Sequence, residues 1–322
     1  MHSAGKRPHT GVVLVALILI NLHLAGCSRL TYRDQALREA QLPQHFEIEA
    51  VPFFPQEKYQ CGPAALSMAL GWSGLQIPPD VLTQEVFTPA LKGSYQSALI
   101  GATRRHGRMA YPLSDRLNLF KEIVAGHPVI VLQNLGLSWY PIWHYALAIG
   151  FDLDRGNILL HSGTTPRKTT AISVFESTWR RSGYWGILVL PPNRLPATAE
   201  LSEIIPAVVG LEKAGQWYAA IEGYKTVLSR WPNSLAAHIG MGNGWYAVGN
   251  LEAAESVLRE ASRRFPEEGT VYNNLAHVLF ERGNIDAAEG AARRAVDMGG
   301  PLVDVYRQTL REIQAGRPSP KL

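Results

Sequence analysis

Cys61 heads the run Cys-Gly-Pro-Ala-Ala-Leu, which continues through Met68, Ala69 and Leu70 with strongly apolar character. Pro63 suits the first turn of a helix, so the run predicts a helix that starts at the cysteine. The free N–H groups and the positive dipole end of such a helix stabilise a thiolate, which predicts a thiol pKa below the reference of about 8.5. That is the requirement for a nucleophilic cysteine. A thiolate attacking an amide also needs a proton donor for the departing amine, usually a histidine from elsewhere in the chain. His144 is the best placed. It opens the run Tyr145 to Phe151 after the aromatic and rigid Trp139-Tyr140-Pro141-Ile142-Trp143, so it is expected at a strand end beside a shaped aromatic surface. Alone, a histidine at a strand start serves structure more often than chemistry; its pairing with the Cys-Gly-Pro helix reverses that reading.

The elements that must position these two residues follow from the texture of the chain around them. Helical stretches are expected at Cys61 to Gly71, Pro79 to Val86, Tyr95 to His106 and Asp115 to Ala125. Strands are expected at Pro128 to Leu132, His144 to Phe151, Asn157 to His161 and Tyr184 to Leu190, where β-branched, aromatic and aliphatic residues alternate with turns such as 152–156. Helices first and strands afterwards read as an α+β domain.

With those residues in place a resemblance becomes specific. Gln-x-x-x-x-Cys-Gly-Pro-Ala (56–64), Gly-x-Pro-Val-Ile-Val (126–131) and Trp-His-Tyr (143–145) with its later Gly-Phe-Asp turn resemble the bacteriocin-processing cysteine peptidases, over about Val51 to Leu190. The resemblance implies a papain-like fold that cleaves leader peptides after a double glycine. It implies Cys61 as nucleophile, His144 as general base and Gln56 as an oxyanion-hole donor, with Gln60 the weaker alternative for that place. An amide donor of this kind is worth about 3 kcal/mol in comparable hydrolases. The family also places an Asp or Asn at the end of the next strand to orient the imidazole, and here Ser162 stands in that place. Asp152 and Asp154 belong to the turn at the other end of the strands. The third member is therefore open: Ser162 or a backbone carbonyl completes a working dyad, or the domain only binds. No Gly-x-x-x-x-Gly-Lys-Ser/Thr loop and no later apolar stretch of about 20 residues occurs, so the reading is of a peptidase detached from transport.

The chain has two cysteines, and the other is Cys27. Lys6 and Arg7 precede the apolar segment Val12 to Ile20, and Leu-Ala-Gly-Cys closes it at 24–27. This ending resembles the lipobox of bacterial lipoproteins, which implies a signal peptide, acylation of Cys27 and membrane anchoring. Ser28 in the following place implies delivery to the outer membrane, facing the periplasm, in a host with two membranes. Acylated Cys27 would leave Cys61 as a lone thiol in an oxidising compartment. That is either an inert buried cysteine or a reactive one.

Beyond Pro191, Pro192 and Pro196 the texture is helical and recurrent. Gly215, Gly249 and Gly283 are 34 residues apart, as are Ala220, Ala254 and Ala288, and Trp231-Pro232 matches Phe265-Pro266 at the same interval. This is the period of the tetratricopeptide repeat, with glycine at tight turns, alanine at close helix approaches and proline at stops. About three repeats and a terminal helix near Val303 to Ala315 are expected, the first repeat being degenerate with Val208 where glycine belongs. The expected boundaries are 1–27 signal peptide, 28–46 tether, 47–192 papain-like peptidase domain, 193–200 linker and 201–316 repeats with a capping helix.

Net charge is +4 and the arginine pairs are dispersed, which argues against nucleic acid as a partner. The scattered His106, His127, His161, His238 and His277 lack ligand spacing, so no metal or other cofactor is expected. The functional expectation is a lipid-anchored cysteine peptidase acting on exported peptides or proteins, with repeats that dock substrate or a protein partner. The alternative is a catalytically silent papain-like scaffold. A third reading, with an acceptor other than water, draws no support from the residues.

Overall fold

A computed structural model describes residue 37 and residues 39–316. The first part begins with β1 (His45–Glu47), α1 (Cys61–Trp72) and α2 (Pro79–Val86). The short hairpin β2 (Phe87–Thr88) and β3 (Gly93–Ser94) leads to α3 (Gln96–Arg105), β4 (Met109–Leu113) and α4 (Arg116–Val124). Then come β5 (Val129–Asn134), β6 (Trp143–Asp152), β7 (Asn157–Ser162), β8 (Thr165–Ala171), α5 (Ile172–Arg180) and β9 (Gly186–Leu190).

Apart from the β2–β3 hairpin, which is a sheet of its own, the strands form one antiparallel sheet in the order β4-β9-β5-β6-β7-β8. β5 and β9 are buried along their whole length, as the apolar runs Val129 to Leu132 and Gly186 to Leu190 require. β6 outruns β5, which pairs it only as far as Ala148, and β1 pairs the rest through Gly150 to Asp152. The expected tether therefore ends earlier than residue 46. Leu153 N donates to Gln44 O at 2.6 Å, and Leu37 is buried in the core. The free edge left on β6 draws this segment into the body.

β4, β8 and α5 add to the expected elements. β8 reads Thr-Pro-Arg-Lys-Thr-Thr-Ala and is exposed along most of its length, so it shows no apolar alternation to read. β4 carries an exposed Pro112, which a strand at the sheet edge tolerates.

Apolar on every side, α1 must be enclosed on every side, and Gly62 to Leu70 are all buried. It packs on β6, α2 and α3. Gly62 is required at its start, because a Cβ there would lie 2.6 Å from Ser94 Oγ. The sheet and these helices thus hold the head of α1 against one end of β6.

The second part is a run of helices: α6 (Leu201–Lys213), α7 (Trp217–Arg230), α8 (Leu235–Ala247), α9 (Leu251–Arg264), α10 (Gly269–Glu281), α11 (Ile285–Met298) and α12 (Val303–Gln314). Gly215, Gly249 and Gly283 have φ of +72°, +79° and +79°, the left-handed conformation that turns one helix into the next. Ala220, Ala254 and Ala288 are fully buried. The degenerate first repeat is accommodated across its own pair: Val208 of α6 meets Gly223 of α7, where a Cβ would sit 3.0 Å from Val208 Cγ1.

The two parts share one core. Ile204, Ala207, Val208 and Leu211 of α6 belong to the same buried cluster as the sheet residues. The linker is pinned to α4 through Glu122, a fully buried carboxylate. Its oxygens accept from Ala197 N (3.1 Å), Thr198 N (2.7 Å) and Thr198 Oγ1 (2.6 Å), and His127 Nδ1 lies 2.7 Å away. Tyr111 of β4 donates to Glu203 of α6 at 2.7 Å. No helix among the described residues is long and apolar enough to cross a membrane.

Candidate active site

Cys61 is the first residue of α1, capped by Gln60 without a side-chain bond to the helix. The backbone amides of Tyr145, Gly62 and Cys61 itself are near enough to the thiol to favour its ionised form. Tyr145 immediately follows His144 on β6, so the packing of α1 on this strand brings the nucleophile and the histidine segment together. His144 Nε2 lies 2.8 Å from Ser162 Oγ at the end of β7. Ser162 is itself buried, beside the turn that leads into β8. When Nε2–H donates to that hydroxyl, Nδ1 is left unprotonated and able to act as a base.

The electrostatics differ from the sequence expectation. Burial pushes the Cys61 thiol up from its ordinary value, and the three amides pull it only partly back. The helix start does act in the expected direction, but desolvation of a thiolate at this half-buried position outweighs it. His144 moves the other way: burial, with a smaller push from Lys168, takes it down to about 4. Near neutral pH the thiol and the imidazole are both neutral at rest.

Gln56 is buried and clamps the two strand ends. Its Nε2 donates to Tyr145 O at 3.2 Å, its Oε1 accepts from Gly163 N at 2.8 Å, and its backbone N donates to Gly163 O at 2.9 Å. One Nε2 proton remains for another acceptor. Gln60 is turned elsewhere, with Oε1 accepting from Thr83 Oγ1 at 3.3 Å. The structure therefore gathers Cys61, His144, Ser162 and Gln56 around one end of β6 and β7. Asp152 and Asp154 stand at the opposite end, where Asp152 pairs with Arg155. Cys27 lies outside the described residues.

Two contributors had no signal of their own in the sequence. The Tyr145 amide became visible only once α1 was packed on β6, and Lys168 sits on a strand without apolar pattern. The scattered histidines have structural partners: His106 meets Glu85 at 2.8 Å, His161 meets Arg167 N at 3.1 Å and His238 meets Pro232 O at 3.1 Å.

Residues 48–187 match the family model described as the Peptidase_C39 like family. The chain carries a peptidase C39-like domain. Residues 239–301 match a tetratricopeptide repeat model, so the C39-like domain is followed by repeats of that family. Among solved structures, a C39-like peptidase from Bacillus anthracis is 17% identical, with TM-score 0.39, over 46% of this chain and 98% of its own. The peptidase domain of Streptococcus ComA, a bifunctional ABC transporter of a quorum-sensing pathway, is 18% identical with TM-score 0.36, over 44% of this chain and 99% of its own. The Yersinia enterocolitica type III secretion translocator chaperone SycD is 16% identical with TM-score 0.33, over 35% of this chain and 89% of its own. No curated protein matches the chain.

Should the pair be catalytic, Ser162 would act as a positioning residue for the imidazole through its 2.8 Å bond, and its substitution separates position from charge. Ser162→Ala is expected to lower kcat about 10-fold with little change in KM, since the ring keeps its pocket but loses its orienting bond. Ser162→Asp sets a carboxylate beside Nε2 and favours the imidazolium, so the acid limb of kcat/KM should move up from about 4 by about 1–2 units. A pH profile unchanged in both variants would remove Ser162 from the account.

Proposed function

We propose that this chain is a cysteine peptidase that hydrolyses peptide bonds of exported peptides or proteins, held at a membrane by acylated Cys27, with its repeats docking substrate or a protein partner. The observation that carries the reading is the packing of α1, which Cys61 heads, on the strand whose His144 lies 2.8 Å from Ser162.

The chemistry starts with transfer of the Cys61 proton to His144 Nδ1 as the sulfur attacks the scissile carbonyl carbon. The Cys61 backbone N–H and the free proton of Gln56 Nε2 are the donors for the oxyanion. Collapse of the tetrahedral adduct breaks the C–N bond, and the imidazolium returns its proton to the departing amine. A water then gives its proton to Nδ1 and attacks the thioester carbon; the C–S bond breaks, the imidazolium returns its proton to the sulfur, and the acid product leaves with the thiol restored. A neutral resting pair suits this sequence, because the charges appear only as the transition state forms.

One observation favours a second reading, a silent papain-like scaffold: burial raises the thiol, and a hydroxyl stands where a carboxylate would stabilise the imidazolium. Cys61-dependent release of new amino termini from a peptide library decides between the two. The peptidase reading expects cleavage by the wild type and none by Cys61→Ala; the scaffold reading expects no cleavage by either. Metabolic labelling with palmitate, lost in Cys27→Ser, tests the anchor.

A further inference from the structure

The connection between β5 and β6 carries Leu135, Leu137, Trp139, Tyr140 and Ile142, and Trp143 follows at the start of β6. These six side chains keep between 48% and 80% of their surface exposed, Trp139 the most. No charged residue occurs from 135 to 143.

The segment is nevertheless firmly built. Asn134 Oδ1 accepts from Gly136 N at 2.9 Å and Ile142 N at 3.0 Å, and its Nδ2 donates to Leu137 O at 3.2 Å. Leu137 and Tyr140 exchange backbone bonds of 3.1 Å, and Leu135 N donates to Ile142 O at 2.8 Å. Arg181 closes the base, with Nη1 donating to Asn134 O at 3.1 Å and Gly136 O at 2.8 Å. A hairpin held by this many bonds, with its apolar side chains turned outward, is a preformed projecting surface. An apolar patch of this kind marks an interaction site.

We propose that this hairpin is a lipid-interface element that seats the Cys61–His144 end of the domain on a membrane surface. Trp and Tyr rings are amphipathic and suit the headgroup level, and uncharged Leu and Ile beside them enter the acyl boundary at little cost. The cations near the patch are Arg181, which bonds the hairpin base, and Lys168, which faces His144 next to Trp143. They complement anionic headgroups. A peptide read by its side chains would call for pockets, whereas these groups stand out from the surface.

The inference uses the proposed function only for the site that the hairpin flanks.

The test is co-sedimentation of the chain from residue 28 onward, which retains every described residue, with phosphatidylcholine vesicles with and without phosphatidylglycerol. Wild type is expected to partition into both, more strongly with the anionic lipid. The double variant Trp139→Ser/Tyr140→Ser should lose at least about 10-fold in partition coefficient with an unchanged melting temperature. Lys168→Gln should weaken only the anionic arm. Wild type that stays in the supernatant, or a double variant that partitions equally, would overturn the proposal. So would a double variant that binds vesicles normally but raises KM for peptide hydrolysis, because the hairpin would then belong to the substrate. Cys61 acylation measured without vesicles is independent of these outcomes, so failure here leaves the peptidase reading standing.

Discussion

His144→Ala is expected to slow acylation of Cys61 by a peptide substrate by at least about 10³-fold at neutral pH. The size follows from the resting state of the pair. Because burial raises the thiol, Cys61 has no standing thiolate population to fall back on when the base is removed. The pH dependence should also change form. In the wild type, His144 accepts a proton only above its own value of about 4, so kcat/KM should fall as pH drops through that value and hold level through neutrality. In His144→Ala the rate should instead climb about tenfold per pH unit, tracking a thiolate that forms only at alkaline pH. Stopped-flow acylation across pH checks both statements. A shallow loss, or an unchanged profile, would mean that the imidazole is not the base.

Ending the chain after Pro192 is expected to lower the melting temperature of the peptidase part by at least about 10 °C or to leave it aggregated. The reason lies in the junction. Truncation strips Ile204, Ala207, Val208 and Leu211 from the shared core. It also removes Ala197 and Thr198, which supply three donors to the buried Glu122 carboxylate. Leaving a buried charge without its partners costs about 3–5 kcal/mol.

Glu122→Gln isolates that term within the full chain. Donors face both oxygens, so either orientation of an amide sets its NH2 against an N–H or hydroxyl, and a loss of about 2 kcal/mol is expected. Burial alone would raise the Glu122 carboxyl, but bonds from His127 and Thr198 outweigh it and hold the value below the usual range. Its contribution is therefore complete above the unfolded carboxylate value and is lost as pH falls through the lower folded one. Denaturant melts of wild type and Glu122→Gln that converge at acid pH would agree with this; a constant gap at all pH would not.

The α+β domain and the helical repeats were legible in the sequence because their signals are local. An unbroken apolar run starting at Cys61 can only be an enclosed helix, and glycines 34 residues apart mark turns that require positive φ. Cys61 and His144 were read from local pattern, at a helix start and a strand start, whereas Gln56, in the irregular segment before α1, and Ser162 were read from the family resemblance. What escaped depends on packing. The helix terminus was visible, but the burial that overrides it at Cys61 is a property of α2, α3 and β6 closing around the residue.

β1 has three residues and exists because β6 leaves it an edge. The junction looked like a proline-rich linker, and the carboxylate that binds it sits about 75 residues earlier on α4, a separation no local pattern spans. The residues 139–143 were read as aromatic and rigid, and their rigidity comes from Asn134 and Arg181, which flank them at a distance.

The most direct test of the central claim is the rate at which a peptidyl chloromethyl ketone modifies Cys61 at pH 6, followed by intact mass and compared with a small free thiol. An ordinary thiol is almost wholly protonated there, while His144 is neutral and able to take its proton. The account predicts a single adduct on Cys61 that forms at least about 10²-fold faster than on the free thiol. A Cys61 that stays unmodified, or reacts no faster than the free thiol, would contradict it.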